Sequence, residues 1–405
     1  MIRVLQVLGT VGLGGAESRV MDLYRHMDRS EIQFDFLVTQ GTGRHYEEEI
    51  KNLGGKIYYL PRFRVINIGE YKKACREFFE THKGEYAAVH GHMTSTAAVY
   101  LPIAKKAGVP LTIAHARSAG VDPGIKGKIT RFMRRNLYKR CDMMLSCSDE
   151  ASVSAFGQAH AKDVKFMPNA IDTKDFIFDA SVRTEIRAKH NLDDRFIIGH
   201  VGSFRYAKNH EFLVELFANL LKEWEQDNLK EKIGMPRPVL MLLGDGELRS
   251  QIEEKVERLG ISADVIFTGN IAPVAPYYQA FDMLIFPSHY EGMPGTVVEA
   301  QAAGLPCIIS DKITPQVGVT DLVTYMSLDV SMEEWISAIL EKATSCRTPS
   351  EEKETAKSED RQSCEEKFYD SRMNVKNKEG LPLSETLYDV NEQVKYYREL
   401  YIGDH

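Results

Sequence analysis

The chain has 405 residues, of which 43% are hydrophobic and 27% are charged, and its formal net charge is −7 at pH 7. This length exceeds the usual limit of one hydrophobic core, so two domains of roughly 170–200 residues are expected. The negative charge argues against a chain-wide role in nucleic-acid binding, which relies on basic surfaces. The 6 cysteines include no CxxC pair and no zinc-like spacing, which predicts reduced thiols in a cytoplasmic protein.

The amino-terminal apolar run is too short for a signal peptide and leads directly into a glycine-rich loop. No stretch approaches the roughly 18–20 apolar residues that a membrane-spanning helix requires. We therefore expect a cytoplasmic protein, soluble or at most peripheral on the inner face of the membrane.

Short apolar runs alternate with amphipathic helical patterns along the whole chain, which is typical of βα units around parallel sheets. Strands of the first half are predicted at Ile2–Leu8, Phe34–Val38, Ile57–Tyr59, Ala87–Val89, Leu111–Ala114 and Met143–Ser146. Strands of the second half are predicted at Phe196–Val201, Val239–Leu243, Val265–Phe267, Met283–Phe286 and Cys307–Ile309. Helices are predicted between them, for example at Ser18–Met27, His210–Leu221 and Leu248–Leu259. Each half is thus predicted to be a doubly wound α/β sheet.

Turn chemistry marks the predicted domain boundary, because residues 168–172 read Pro-Asn-Ala-Ile-Asp and a second βα series follows. Residues 222–237 are predicted to be a charged surface insertion. Residues 345–379 are polar and charged, which predicts a solvated helix or loop. An apolar helical pattern returns at residues 388–401.

A glycine-rich loop, GTVGLGGAE, occupies residues 9–17 between the first strand and the first helix. Glycines allow close approach of a ligand to the backbone, and the helix start offers free N–H groups to an anion. The GxGxxG spacing fits poorly, and many tight strand-to-helix turns contain glycines without any ligand. Both interpretations stay open for this loop.

The second half contains a more specific loop between the strand ending at Phe286 and a helix predicted to start near Thr296. Its glycines and the helix start can bind a pyrophosphate through backbone N–H groups. Glu291 precedes the helix and Glu299 lies one turn into it. Each carboxylate can accept hydrogen bonds from two neighbouring hydroxyls, as on a ribose or a hexose.

Basic residues follow the first strand of the second half, at Arg205 and Lys208. At the carboxyl edge of a parallel sheet they can neutralise a diphosphate held by the glutamate loop. A solvated basic loop is the plain alternative.

Histidines cluster at predicted strand ends of the first half, at His90, His92 and His115. The two histidines of the HxH pattern could bind a metal ion together, but we expect no suitable third ligand nearby. His115 is interpreted either as a structural histidine or as a ligand-contacting residue at the carboxyl end of its strand.

Together these segments resemble the family 4 (group 1) retaining glycosyltransferases, especially the exopolysaccharide and capsule type. The similarity covers nearly the whole chain and includes GLGGAE, PNAID, VGSFRYAKNH, LLGDGEL and VIFTGNI, with FPSHYEGMPGTVVEAQAAGLPCIIS as the longest segment. The E-x7-E signature from Glu291 to Glu299 is its most specific element.

The resemblance implies the GT-B fold, with two Rossmann-like doubly wound domains facing across a cleft. Residues 1–170 would form the acceptor-binding domain, with the helix at 388–401 packing back on it. Residues 171–387 would bind the nucleotide-sugar. The implied activity is hexosyl transfer from a nucleoside diphosphate sugar, with UDP as the expected nucleotide, to a saccharide or lipid-linked acceptor.

The resemblance also implies roles for individual residues. Glu299 would bind the ribose, Glu291 the hydroxyls of the donor sugar, and Lys208 the diphosphate. His115 would contact the transferred sugar. The other implied donor-binding residues are Gly14, Gly15, Arg205, Gly292, Met293, Pro294, Gly295, Thr296 and Val297.

One position departs from the family pattern, because Ser203 occupies the place of the arginine in its V-G-R segment. Arg205 is the candidate replacement for that charge. The family implies catalysis without a divalent metal or other cofactor, and retention through front-face attack of the acceptor hydroxyl. Lys208, Arg205 and the helix start at Thr296 would then stabilise charge on the leaving diphosphate.

A basic segment at residues 125–140 contains seven basic side chains and no acidic one. Ile125, Ile129, Phe132 and Met133 recur in it at helical spacing. Such a helix can dock on an anionic membrane, although packing of its apolar stripe on the sheet is the plain alternative. An anionic membrane surface is therefore a predicted partner.

Three rival functions belong to the same fold. A nucleotide-sugar epimerase would act without an acceptor, and a glycogen-type phosphorylase would hold pyridoxal phosphate on a lysine, for which no segment here provides a match. A non-catalytic partner subunit would keep the fold and lose the chemistry, and the displaced arginine favours it slightly. The intact Glu291, Glu299, Lys208 and His115 argue against that last alternative.

Overall fold

The computed structural model of the protein describes residues 1–39, 41, 45–117, 124–345, 372–373 and 375–403. The chain divides into two compact units. Unit 1 comprises residues 1–172 and 387–405, and unit 2 comprises residues 173–386.

Unit 1 is built on a seven-stranded sheet with the order β3-β2-β1-β4-β5-β6-β7, and its strand pairs are parallel. The strands are β1 (Ile2–Val7), β2 (Ile32–Val38), β3 (Ile57–Tyr59), β4 (Ala88–Gly91), β5 (Leu111–Ala116), β6 (Met143–Ser146) and β7 (Lys165–Phe166). The connecting helices are α1 (Gly15–His26), α2 (Glu47–Asn52), α3 (Ile68–Thr81), α4 (Thr94–Lys106), α5 (Ile125–Arg134) and α6 (Asp149–Phe156). Apolar runs buried on both faces favour such a parallel sheet.

Unit 2 repeats this plan with a six-stranded parallel sheet in the order β10-β9-β8-β11-β12-β13. The strands are β8 (Phe196–Val201), β9 (Pro238–Leu243), β10 (Val265–Gly269), β11 (Met283–Phe286), β12 (Cys307–Ser310) and β13 (Val323–Met326). The helices are α7 (Ala180–Lys189), α8 (His210–Gln226), α9 (Leu229–Ile233), α10 (Arg249–Leu259), α11 (Ala275–Ala280), α12 (Gly295–Ala302) and α13 (Met332–Ser345). The predicted α/β doubly wound fold class is confirmed.

The carboxyl-terminal helix α14 (Val390–Ile402) belongs to unit 1. Tyr397 and Tyr401 are buried in the same apolar cluster as residues of β1, β2 and α1. Hydrogen bonds continue this attachment, because the backbone N–H of Ile171 donates to the carbonyl of Tyr388 and the side-chain amide of Gln393 donates to the carbonyl of Pro168.

The strand predictions agree with the structure to within two residues at each end, but two short edge strands were missed. β7 has 2 residues and β13 is half-buried throughout, so neither shows a distinct apolar run. The predicted surface insertion at 222–237 is wrong in part. α8 continues to Gln226, and the side chains of Leu229 and Met235 are buried in unit 2.

The polar segment predicted at 345–379 lies largely outside the described residues. One described member, Arg372, contradicts the expectation of a solvated segment, because it is 3% exposed. Its guanidinium donates to the backbone carbonyls of Tyr278 and Ala303, which satisfies its buried N–H groups. Among the described helices, none is long and apolar enough to cross a membrane.

Candidate active site

Both sheets reverse their winding direction at an internal switch point, where open α/β sheets bind ligands beyond the carboxyl ends of the strands. In unit 2 this point lies between β8 and β11, and in unit 1 between β1 and β4. The loops after these four strands contain most of the predicted site residues.

In unit 2 the switch point brings Lys208 and Glu291 together. The Lys208 Nζ and Glu291 Oε1 atoms are 2.7 Å apart, and both side chains are 17% exposed. The ammonium also lies 4.4 Å from the centre of the Phe286 ring, at the end of β11. Gly202 makes room for this lysine, because a Cβ there would lie 3.2 Å from its side-chain carbons. The pair is therefore held in place but still open to solvent.

Hydrogen bonds connect the two loops that position this pair. The backbone N–H of His289 donates to the carbonyl of Ala207 at 2.8 Å, and the side-chain amide of Asn209 donates to the carbonyl of Pro287 at 3.1 Å. The rings of Tyr206 and His289 stack with centroids 4.5 Å apart. The loop after β8 and the loop after β11 thus form one connected surface.

Glu299 lies inside the following helix and is 6% exposed. The phenol of Tyr278 donates to its Oε2 at 2.8 Å, which fixes the carboxylate. Burial and the nearby Glu299 charge raise the pKa of Tyr278, so this phenol remains a donor. No side chain caps the start of α12 at Gly295, which leaves its amino end suited to an anion.

The remaining predicted donor-binding residues follow the course of this loop. Gly292, Gly295 and Thr296 are partly exposed, whereas Met293, Pro294 and Val297 are buried. The hydroxyl of Thr296 donates to the carbonyl of Val201, which ties the helix start to the end of β8.

Arg205 is not brought into contact with the ion pair. Its side chain is exposed and lines a cavity of about 260 Å³ together with Tyr206, His289 and residues of α8 and α10. Its role as replacement for the family arginine stays a prediction.

In unit 1 the predicted glycines lie at the start of α1. Gly14 is its N-cap and Gly15 its first residue, and no side chain caps this end. A Cβ on Gly14 would lie 2.3 Å from the Oε2 of Glu17, whereas a Cβ on Gly15 would meet nothing within 4 Å. Gly15 thus borders open space at the carboxyl edge of the sheet.

The histidines of unit 1 form one buried cluster, which corrects the expectation that no third ligand lies nearby. Candidate ligand atoms of His90, His92 and His115 lie within 4.8 Å of one another. β4 and β5 are adjacent strands, and their register brings the three rings together. Burial lowers the pKa of each of them well below its ordinary value, so all three are neutral at pH 7.

Hydrogen bonds occupy most of the ring nitrogens in this cluster. His90 bonds through Nδ1 to the Tyr401 hydroxyl at 2.6 Å and through Nε2 to Nδ1 of His115 at 3.0 Å. His92 bonds through Nε2 to Oε1 of Gln6 at 2.9 Å. The Nε2 atom of His115 is buried and has no hydrogen-bond partner in the described part of the chain.

Arg117 lies at the end of β5, two residues beyond His115. Its Nε donates to Nδ1 of His92 at 3.3 Å, and its Nη1 donates to Oδ1 of Asn169 at 2.8 Å. A guanidinium can only donate, so Nδ1 of His92 is an acceptor and its lone pair is not open to a metal. The three imidazoles therefore form a neutral hydrogen-bonded network beside a cation.

Comparison with known proteins shows the family of this chain. The model for "Glycosyl transferases group 1" matches residues 182–361, and that for "Glycosyltransferase Family 4" matches residues 13–175. The "Putative glycosyltransferase EpsF" of Bacillus subtilis (strain 168) is 36% identical over 352 residues, which are 85% of this chain and 88% of that protein. The chain belongs to the family 4 (group 1) glycosyltransferases.

Two further matches extend this result. This glycosyltransferase is 28% identical over 313 residues, 74% of its length and 77% of the other's, to an α-1,4-N-acetyl-D-galactosaminyltransferase of Campylobacter jejuni. The Anabaena protein Alr3699/HepE, solved in complex with UDP, matches with a TM-score of 0.71 at 15% identity, over 98% of this chain and 99% of that one. The structural likeness shows the GT-B fold.

Several residues of this glycosyltransferase were not singled out from its sequence. Tyr278, Tyr401 and Arg117 each contact a predicted site residue or its neighbour. Arg117 could have been found from the sequence, because it lies two residues after His115 and side chains alternate along a strand, which places both on the same face. Tyr401 offered none, since it reaches His90 from 311 residues away in the chain.

Proposed function

We propose that this glycosyltransferase moves a hexose-type sugar from UDP to a saccharide or lipid-linked acceptor in surface polysaccharide synthesis. The observation that supports a donor site is the ion pair of Lys208 and Glu291 at the switch point of unit 2, next to the uncapped start of α12. The ammonium and the helix start can hold a diphosphate, while the carboxylate accepts hydrogen bonds from sugar hydroxyls.

The known proteins support the choice of substrates. The Anabaena protein was solved with UDP and also with UDP-glucose. The Campylobacter enzyme is named for a diphosphoundecaprenol-linked N-acetylgalactosamine acceptor. We extend a uridine nucleotide and a lipid-linked saccharide from these proteins to this chain.

In the proposed reaction the bond between the anomeric carbon and the diphosphate oxygen breaks while the acceptor hydroxyl attacks from the same face. The acceptor proton passes to a phosphate oxygen of the leaving UDP, and the anomeric configuration is retained. Lys208 and the start of α12 stabilise the negative charge on UDP without a metal ion. Glu291 orients the sugar, and Glu299 binds the ribose.

The direct test is incubation with a panel of radiolabelled nucleotide sugars, with and without undecaprenyl-diphosphate-linked saccharides. We expect label to move from a UDP-sugar to lipid only when the acceptor is added. Conversion of the nucleotide sugar without acceptor would indicate an epimerase. Absence of transfer and of nucleotide binding would indicate a non-catalytic partner subunit and refute the proposal.

We also propose that α5 docks this enzyme on an anionic membrane surface. Lys128, Arg131 and Arg135 are exposed, and Phe132 between them is 75% exposed rather than packed on the sheet. An exposed aromatic ring among basic side chains is typical of interfacial helices. Ile129 and Met133 are half-buried and attach the helix to unit 1.

A groove next to this face extends the basic surface. It has a volume of about 1260 Å³ and is lined by α3, α4 and the end of α5. Its floor includes Val99, Pro102 and Ile103 of α4. Its charged lining comprises Lys72, Arg76, Lys105, Lys106, Arg135, Lys139 and Arg140, with Glu80 as the acidic member. Each basic residue near an anionic lipid surface contributes about 1 kcal/mol.

Charge reversal tests this docking. Lys128, Arg131 and Arg135 are changed together to glutamate, and binding to vesicles of anionic phospholipid is measured by sedimentation. Arg134 is left intact, because it is half-buried and donates to the Ser154 hydroxyl at 3.1 Å. A control reverses the exposed Lys83, Lys162 and Lys222, an equal change in net charge. Vesicle binding should be lost only in the first variant, and retained binding would refute the docking.

A further inference from the structure

A cavity of about 260 Å³ lies in unit 2 between the loop after β8, the start of α8 and one face of α10. Its lining does not include Lys208, Glu291 or Glu299, so it is separate from these proposed donor contacts. Drug-sized ligands occupy pockets of roughly 300–1,000 Å³. The cavity therefore has room for a smaller group, such as a single six-membered ring.

Two stacked aromatic rings form one wall of this cavity. Tyr206 and His289 both line it, with ring centroids 4.5 Å apart and an angle of 21° between the ring planes. The imidazole covers one face of Tyr206, yet the tyrosine is 66% exposed. The face of an aromatic ring has a negative partial charge and packs well on C–H groups. The exposed tyrosine ring is therefore suited to the apolar face of a pyranose ring.

A buried histidine in the lining has hydrogen-bonding capacity that the protein does not use. His210 is the first residue of α8 and is 3% exposed. Neither of its ring nitrogens has a hydrogen-bond partner among the described residues. Burial lowers the pKa of His210 to about 2, so the ring is neutral at pH 7, with one donor and one acceptor. A sugar hydroxyl can donate to such a ring or accept from it, which would satisfy a polar group that is costly to bury alone.

α10 adds a row of polar side chains to the cavity. Gln251, Glu254 and Arg258 recur at intervals of three and four residues, so they lie on one face of the helix, and all three are exposed. Within the described part of the chain, these three side chains have no hydrogen-bond or ion-pair partner. Lys255 of the same face pairs with Glu211 of α8 at 2.9 Å, which links the two helices. An amide, a carboxylate and a guanidinium are thus available to neighbouring hydroxyls.

The charge of the lining favours a neutral ligand over an anion. Its charged residues are Arg205, Lys255, Arg258, Glu211 and Glu254. Burial lowers the pKa of both histidines of the lining, so they add no charge at pH 7. The carboxylates nearly balance the cations, whereas a phosphate site concentrates basic groups. The polar groups and the exposed ring together match a neutral sugar.

We infer that this cavity binds one neutral pyranose residue, which stacks on Tyr206 and forms hydrogen bonds with His210 and the polar face of α10. The inference goes beyond the proposed function, because this binding needs neither a nucleotide nor sugar transfer. The saccharide chain on which this glycosyltransferase acts would supply such a residue. The loops after β8 and β11 then contribute to two sites, since they also position Lys208 and Glu291.

The test is saturation-transfer difference NMR of the full chain with the methyl α-glycosides of glucose, galactose, N-acetylglucosamine and N-acetylgalactosamine. We expect signal transfer to at least one of them. Replacing Gln251 and Arg258 together by alanine should weaken its binding about tenfold, and Tyr206→Ala should have a similar effect. The control replaces Ser250 and Glu257 by alanine, because both are exposed on α10 but do not line the cavity. This control should bind like the wild type, and thermal unfolding of each variant verifies the fold.

A donor-site variant separates the two sites of unit 2. Glu291→Gln should bind the glycoside with unchanged affinity. Loss of binding in Glu291→Gln with unchanged binding in the Gln251 and Arg258 variant would assign the sugar to the donor site and overturn the inference. Displacement of the glycoside by inorganic phosphate would indicate an anion site instead, and absence of signal from all four glycosides would exclude the site. Failure of the radiolabel transfer test would refute the proposed function without changing these binding results.

Discussion

The switch points of the two units have the same topology and opposite electrostatics. In unit 2 a lysine faces a carboxylate at 2.7 Å, so the charges at the sheet edge are balanced before any ligand binds. In unit 1 three neutral histidines adjoin the cation of Arg117, which has no ion-pair partner among the described residues. The cation at the first edge is therefore paired with a carboxylate, whereas the cation at the second edge contacts only neutral hydrogen-bond partners.

The largest effect on activity is expected at the Lys208–Glu291 ion pair of unit 2. Lys208→Ala removes the cation that would stabilise the leaving UDP, and turnover should fall roughly 10²–10³-fold. Turnover is measured as transfer of radiolabelled sugar at saturating donor. Lys222→Ala is the matched control, because this exposed lysine of α8 has no assigned role in the donor site, and it should retain most activity. Near-normal turnover of Lys208→Ala would remove this lysine from the mechanism.

A smaller effect is expected at Glu299, in helix α12 of the same unit. Glu299→Gln keeps the shape of the side chain but loses the charge that would accept ribose hydroxyls, and the KM for the donor should rise about tenfold. Tyr278→Phe is the control for position, since it leaves the carboxylate but removes the hydrogen bond that fixes it. An equal rise in KM for both variants would attribute the effect to positioning.

The buried histidines predict acid sensitivity. Burial lowers the pKa of His90, His92 and His115 below the ordinary 6.5, so below about pH 6.5 the unfolded chain binds protons that the folded chain does not. Each such group can lower the free energy of unfolding by up to about 1.4 kcal/mol per pH unit in this range, and the effect vanishes above it. In unit 2, burial also lowers the pKa of His200 to about 4 and that of His210 to about 2.

Urea unfolding at pH 7.5 and pH 5.5 measures this loss. Both tryptophans, Trp224 and Trp335, belong to unit 2, so their fluorescence reports that unit, whereas circular dichroism reports both. We expect both transitions to move to lower urea at pH 5.5, because both units contain buried histidines of lowered pKa. Equal stability at both pH values would contradict the assignment of neutral buried histidines.

The smallest effect is expected at the glycine loop of unit 1. Gly15→Ala should raise the free energy of unfolding by about 0.5–1 kcal/mol, because the new Cβ meets nothing and restricts the unfolded chain. If the loop approaches a ligand, turnover should fall in this more stable variant. Unchanged turnover would favour an ordinary turn. Gly14→Ala is a contrast, since its Cβ would force the Glu17 side chain to move.

The sequence predicted the parts of the site that are local in the chain. Glu291, Glu299 and the loop between them belong to one strand-to-helix connection, and the apolar runs around it predicted the strands correctly. The contact of Lys208 with Glu291 needed only the adjacency of β8 and β11, which the doubly wound pattern implies.

Contacts that depend on how separate strands pair in the sheet could not be predicted from the sequence. The third histidine of the cluster was missed because it requires the pairing of β4 with β5. The assignment of Arg205 assumes a shifted loop and stays a prediction; the 3₁₀ turn at Tyr206–Lys208 leaves this side chain exposed and brings Lys208 to the glutamate. Hydrogen-bond geometry, and not residue type, decides these cases.

The return of α14 to unit 1 affects the order in which the protein is completed during synthesis. Unit 2 is inserted in the sequence of unit 1, so all of its strands leave the ribosome before α14 does. Until then the apolar surface that receives Tyr397 and Tyr401 is uncovered, and His90 lacks its phenol partner. All of unit 2 is therefore synthesised while unit 1 still lacks α14. Unit 1 becomes complete only when this last helix packs on it.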